Sequence, residues 1–216
     1  MSSIKHAIIS AAGMGTRIGL DMPKCLLSFN GVTIIEHQLE LLKEFEDVRV
    51  VVGFMEEKVI EIARSKRNDI IFVRNPDYQT TSNTHSISLA TEGLNKPYLL
   101  LDGDLLINKR SFFEFLKSFN GKSSLVGITK SSTDDAVYVS LSKKNEVVKF
   151  DRKKKKEYEW SGIACLNNIK VSSQYPYLYQ ILEKHLPLKT KFIDCAEIDT
   201  PDDLNRAQNF WLKYLA

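Results

Sequence analysis

The chain has 216 residues, 43% of them hydrophobic, enough to bury one substantial core, and a single domain over residues 1–216 is expected. A net charge of +3 is too slight to indicate a nucleic-acid partner, and no run approaches the roughly 18 apolar residues of a membrane span, so membrane insertion is not expected. Cys25, Cys165 and Cys195 are widely spaced with no C-x-x-C pair, which argues against a disulfide framework or a zinc site. The N-terminus lacks a signal-peptide apolar core, which makes a cytoplasmic location the expectation.

The apolar run Ala7-Ile8-Ile9 reads as a strand that leads directly into Ser10 to Lys24, SAAGMGTRIGLDMPK. Ala11, Ala12 and Gly13 bring bare backbone to the strand's C-terminal edge, where open α/β sheets bind ligands. Gly13 and Gly15 have no Cβ, so the loop can take positive φ values and close its amides around phosphate oxygens, with Met14 and Thr16 in the same cradle. Arg17 and Lys24 add a planar cationic fork and a compact point charge on either side. The loop is not a Walker A motif, because no Gly-Lys-Ser/Thr follows these glycines, and Gly19 falls one residue late for the dinucleotide fingerprint.

Downstream, Ile34, Ile35, Leu39, Leu42 and Phe45 recur at helical spacing, as do Val59, Ile60 and Ala63. Val48 to Val52, Ile70 to Val73, Tyr98 to Leu101 and Leu125 to Ile128 read as strands buried on both faces. Helices separating such strands predict a doubly wound, mostly parallel sheet of α/β class. The loop from Asn75 to Thr84 precedes a helix from Thr84 to Glu92; its Thr81, Ser82 and Asn83 suit either a base edge or ordinary helix capping. From Val137 to Leu166 the runs shorten around Lys143-Lys144-Asn145, which predicts a small β-hairpin added to the sheet. A last helix should start after Asp199, with Thr200 as N-cap, Pro201 at its first position and Asp202-Asp203 in its first turn.

The sequence G-x-G-T-R with a later P-K resembles the signature of the nucleotidyltransferase superfamily, which joins an NTP to a phosphorylated small molecule and releases pyrophosphate. LLLDGDLLI at Leu99 to Ile107 and EIDTPDDL at Glu197 to Leu204 resemble that family's two acidic sites, so the similarity covers nearly the whole chain. The "AAG" opening, NPDYQTTSN at Asn75 to Asn83 and the compact length look most like the bacterial phosphocholine cytidylyltransferase branch. The fold implied is a Rossmann-like, GT-A-like nucleotidyltransferase domain.

The resemblance implies Mg²⁺ as cofactor, needed in any case to screen a triphosphate of about four negative charges from an incoming phosphate. It assigns metal contacts to Asp104, with Asp102 as second choice, and to Asp199, whose local alternative is capping the last helix. Arg17 and Lys24 take the catalytic cation roles, and Ala11 to Thr16 with Thr81, Ser82 and Asn83 hold the nucleotide, CTP favoured over UTP. On the acceptor side the resemblance points to Lys153, three residues after Phe150, for the acceptor phosphate. Trp160 and Glu159 would hold a cationic head group by cation–π attraction and charge. The reaction implied is cytidylyl transfer to a small phosphorylated alcohol, amine or phosphonate for envelope or capsule synthesis. A sugar-1-phosphate or polyol-phosphate nucleotidylyltransferase is the alternative enzyme, and a silent nucleotide-binding regulatory domain the alternative of another class.

Overall fold

The computed structural model describes residues 4–19, 21–132 and 134–215, and of Arg17 only the backbone. Its first half runs β1 (His6–Ser10), the hairpin β2 (Ser28–Phe29) and β3 (Val32–Thr33), α1 (Ile34–Leu41), β4 (Asp47–Val52), α2 (Glu56–Lys66), β5 (Ile71–Arg74), α3 (Asn83–Thr91) and β6 (Tyr98–Asp102). There follow β7 (Leu105–Ile107), α4 (Lys109–Ser118), β8 (Leu125–Lys130), β9 (Tyr138–Leu141), β10 (Glu146–Asp151) and β11 (Tyr158–Leu166). α5 (Leu178–Leu182), β12 (Leu188–Phe192), β13 (Cys195–Glu197) and α6 (Pro201–Tyr214) complete the chain.

The main sheet has the order β5-β4-β1-β6-β11-β8-β12-β10-β9. β5, β4, β1 and β6 are mutually parallel, and β12 is parallel to β8, whereas β11 runs antiparallel between β6 and β8. The doubly wound α/β architecture read from the sequence is therefore present, with the parallel pairing concentrated in β5-β4-β1-β6 and mixed pairing in the rest of the sheet. Ala7, Ile8 and Ile9 at its centre are fully buried, as a strand covered by helices on both faces requires.

Three local expectations change. Ile70 to Val73 does not form a doubly buried strand: β5 is the outermost strand, with β4 on one side only, and Ile71 is 48% exposed. The first helix stops at Leu41 rather than reaching Phe45, which closes the core from the following turn. The added hairpin is β9–β10, turning through Asn145 at φ +57°, but it belongs to a larger unit. β9 also pairs with β11, so β11, β8, β12, β10 and β9 curl back on themselves.

What positions the site is the register of β1 and β6. Ser10 lies opposite Asp102, both at the C-terminal edge of the parallel strands, and the Gly103 amide donates to the Ser10 carbonyl at 2.9 Å. A second, small ribbon pairs β13 with β7, setting Glu197 opposite Leu105, and the Ile198 amide donates to the Asp104 carbonyl at 3.2 Å. The end of the chain thus returns to the edge where its beginning left the sheet. The N-terminus of α6 begins there, its first turn capped by Asp203, which accepts from the Thr200 amide at 2.8 Å.

Candidate active site

A cleft of about 460 Å³ opens along this edge. One end is lined by Ala11, Ala12, Gly13, Gly15 and Thr16, with Thr81, Ser82 and Asn83 on the flank. The floor carries Lys24, Asp102, Asp104, Glu197 and Asp199, and the far end is walled by Trp160, Tyr177 and Tyr179 with Asp135 and Arg152.

The glycine loop is shaped by Gly15 rather than by both glycines. Gly15 has φ +65°, and a Cβ there would sit 2.9 Å from Lys24 Cγ, so this glycine both makes the turn and lets the Lys24 stem pass. Gly13 does not take a positive φ, contrary to expectation; a Cβ on it would meet nothing within 4 Å, so the space beside it is open. Met14 is half-buried and is not among the lining residues. The Arg17 side chain lies outside the described residues; its backbone belongs to the 3₁₀ turn Thr16–Ile18.

On the floor, the Lys24 ammonium donates to Asp104 Oδ2 at 3.0 Å and also to Asp199 Oδ1. Burial alone would lower the lysine's pKa, but the two carboxylates outweigh it and hold it above the ordinary range. Glu197 joins them: one oxygen each of Asp104, Glu197 and Asp199 lie within 4.8 Å of one another. Loss of hydration, followed by repulsion from Asp104 and Asp199, pushes the Glu197 carboxyl well up. Asp104 is also raised, by burial first, with Lys24 opposing and Asp199 adding repulsion. Three crowded hard oxygen donors, two of them paired with the one ammonium of Lys24, suit a divalent cation such as Mg²⁺, since the cluster carries more negative charge than Lys24 cancels.

Asp102 stands apart from that cluster. Its Oδ1 accepts from Asn83 Nδ2 at 3.2 Å, and Asn83 in turn accepts from the Ser10 hydroxyl. Burial and the neighbouring Asp104 charge push its pKa up to about 7. The geometry gathers Asp104, not Asp102, with Asp199. Glu197 has no role assigned from the sequence; it ends β13 two residues before Asp199, and that proximity is the signal the sequence offers.

Thr81, Ser82 and Asn83 line the cleft while also holding their own loop. Thr81 Oγ1 donates to the Asp77 carbonyl at 2.8 Å and accepts from buried Asn75 at 2.9 Å. Ser82 caps α3 by accepting from the His85 amide at 3.3 Å. Cys25, buried beside Lys24, has its thiol pushed up to about 12 by burial and the Asp104 charge, which leaves it inert as a nucleophile.

At the acceptor end the expected residues separate. Trp160 lines the cleft. Glu159, next to it on β11, has the opposite orientation: it is 6% exposed and accepts from the Ser132 amide at 3.3 Å and the Ser132 hydroxyl at 3.4 Å. Lys153 is exposed in a turn in which its amide donates to Asp151 Oδ1 at 2.9 Å, and it does not line the cleft. The cation that does is Arg152, one residue earlier, which donates to Asp135 Oδ1 at 2.6 Å with its guanidinium carbon 4.8 Å from the Tyr177 ring centre. Tyr177 stacks on Tyr179 at 5.8 Å. Arg152 follows β10, Asp135 lies in the β8–β9 connection, Tyr177 precedes α5 and Tyr179 lies within it, so only the fold brings them together.

A family model described as "MobA-like NTP transferase domain" matches residues 7–158. The chain is 37% identical over 108 residues to CMP-5'-(3-aminopropyl)phosphonate synthase of Streptomyces rubellomurinus, covering 47% of this chain and 17% of that protein. It is 33% identical over 111 residues to choline-phosphate cytidylyltransferase of Streptococcus pneumoniae, covering 49% and 47% respectively. With the bifunctional protein GlmU of Streptococcus pyogenes it shares 30% over 164 residues, 71% of this chain and 38% of that one. The chain therefore matches less than half the length of each of these relatives. Among solved structures, the CTP:phosphocholine cytidylyltransferase of S. pneumoniae has a TM-score of 0.77 at 22% identity, covering 94% of this chain and 97% of that one. The inositol-1-phosphate CTP transferase of T. maritima has a TM-score of 0.79 at 22% identity, covering 99% and 98%. Both share the Rossmann-like fold described above.

Proposed function

The chain belongs to the MobA-like NTP transferase domain family, and from that premise we propose that it is a Mg²⁺-dependent nucleotidyltransferase, using CTP by preference, that acts on a small phosphorylated alcohol or amine or on a phosphonate. The observation that carries this reading is the convergence of the Gly13–Gly15 loop, Lys24 and the Asp104–Glu197–Asp199 cluster on one edge of the sheet. A binding module would need the loop, but not three carboxylates and a shared lysine at its mouth.

The acceptor's phosphate or phosphonate oxygen attacks the α-phosphorus of the NTP. The new P–O bond forms as the bond to the α,β-bridging oxygen breaks, and that electron pair leaves with pyrophosphate. No protein nucleophile is required; positioning and charge compensation supply the acceleration. Asp104, Glu197 and Asp199 would hold Mg²⁺, whose chemistry is to offset the charge of the phosphates. Lys24, relieved of its two carboxylates, pairs with phosphate oxygens near the leaving group. The open space beside Gly13 admits a phosphate close to the backbone, and Thr81, Ser82 and Asn83 flank the pyrimidine.

At the far end, Trp160 offers an indole face and Asp135 supplies the carboxylate that Glu159, held by Ser132, does not. Arg152 replaces Lys153 as the cation within reach of the acceptor. The shared fold with an inositol-1-phosphate CTP transferase supports a second reading, a polyol phosphate as acceptor. Pyrophosphate release measured with phosphocholine, aminoalkylphosphonates and polyol phosphates separates the two readings.

A further inference from the structure

Two carboxylates that the proposed reaction does not use are buried between the acidic cluster and the acceptor wall. Asp203, in the first turn of α6, is 2% exposed, and Glu159, on β11, is 6% exposed. A buried carboxylate persists only when it is hydrogen-bonded and its charge compensated. Asp203 Oδ2 accepts from the amides of Asp199 at 3.0 Å and Thr200 at 2.8 Å and from the Thr200 hydroxyl at 2.9 Å. Its position therefore sets the backbone of the segment that carries Asp199. Glu159 is held by Ser132 in the same way and fixes the strand next to Trp160.

One cation serves both sides. Arg206 lies one helical turn after Asp203 and pairs its Nη2 with Asp203 Oδ1, while its Nη1 donates to the Ser132 carbonyl at 2.6 Å. Its positive charge also acts on Glu159. Capping α6 needs Asp203 and Thr200 but not Arg206, and it needs no contact with Ser132, far back in sequence. A planar guanidinium can satisfy a carboxylate and a carbonyl at once, which an ammonium cannot do with the same geometry.

We propose that Arg206 is a positioning residue: by joining Asp203 to Ser132 it straps the segment Glu197–Thr200 to the wall that carries Trp160, and so fixes the spacing between the acidic cluster and the acceptor site. The meaning of that spacing for catalysis rests on the function proposed above; the strap itself does not. Groups that hold the partners of metal ligands typically change metal affinity or activity by about 10- to 100-fold when removed.

The test is hydrogen exchange on the metal-free protein, together with Mn²⁺ titration and acceptor kinetics, for the wild type, Arg206→Ala and Arg206→Lys. The strap predicts that Arg206→Ala speeds exchange of the Asp199, Thr200 and Ser132 amides by about tenfold, with β4 unchanged. It also predicts Mn²⁺ binding weakened by roughly tenfold and acceptor KM raised about 3- to 10-fold, with Arg206→Lys intermediate on all three. If Arg206→Ala fails to fold, Arg206→Lys alone decides by the same readouts. A wild type that neither binds Mn²⁺ nor turns over would sink the proposed function, while the exchange data still judge the strap. Unchanged exchange in either segment, or a lowered Tm with wild-type Mn²⁺ affinity and acceptor KM, overturns it.

Discussion

Lys24 and Asp104 meet at 3.0 Å across the cleft floor, one from the segment after β1 and the other from the turn between β6 and β7, 80 residues apart in sequence. That contact joins the phosphate cradle to the acidic cluster, and it implies that Lys24 stays charged throughout the working pH range, because its carboxylate partners raise its pKa. Lys24→Ala should lower kcat by about 100-fold or more, the scale set by removing a donor aimed at developing charge. Steady-state turnover of a folded variant checks this; near-normal kcat would remove Lys24 from the mechanism.

The metal assignment separates the acids. Asp104→Asn and Asp199→Asn should each keep the fold and lose most Mg²⁺-supported turnover, since an amide preserves shape and removes charge. Asp102→Asn should retain activity. Turnover measured against Mg²⁺ concentration for the three variants decides, and an inactive Asp102→Asn beside an active Asp104→Asn would reverse the assignment within Leu101-Asp102-Gly103-Asp104.

How much of this was legible in the sequence differs by element. The strand Ala7-Ile8-Ile9 and the glycine loop could be read because burial on both faces and a tight turn leave local signatures. Asp104 and Asp199 came from a family resemblance, and the structure brings them together through the pairing of β13 with β7, which no local pattern encodes. Glu159 was misjudged because its neighbour Trp160 faces the cleft and strand alternation sends adjacent side chains to opposite faces. Arg152, Asp135 and Tyr177 went unread because they converge from three separate segments.

A pH prediction follows from Asp102. Its folded-state pKa of about 7 lies above the ordinary 3.8, so the folded protein binds more protons than the unfolded chain between those values. Stability of the metal-free protein should therefore fall as pH rises across that window. Asp102→Asn removes this contribution and should raise Tm by several degrees at pH 7.5 while changing little at pH 4. Melting curves over pH 4 to 8 check it; parallel wild-type and variant profiles would refute the shift.

Gly162 on β11 is required by the same carboxylate. Its φ is +73°, and a Cβ there would lie 2.7 Å from Asp102 Oδ2. Gly162→Ala should destabilise the protein by about 1–3 kcal/mol through backbone strain and the displaced acid. Chemical denaturation measures this, and an unchanged midpoint would contradict the close approach.

At the acceptor end, Trp160→Ala should raise KM for an amine-bearing acceptor by roughly 5- to 30-fold, the equivalent of about 1–2 kcal/mol, and leave KM for the NTP nearly unchanged. Initial-rate kinetics with each substrate varied in turn check the split. Equal effects on both would place Trp160 in general packing.

The most direct measurement is pyrophosphate release over a matrix of the common NTPs against phosphocholine, aminoethylphosphonate, polyol phosphates and hexose 1-phosphates, with and without Mg²⁺. The account predicts release with CTP and a phosphorylated amine or alcohol, or a phosphonate, abolished by chelation and by Asp104→Asn. Release from no pair in the matrix, or release that persists undiminished in excess chelator, would contradict it.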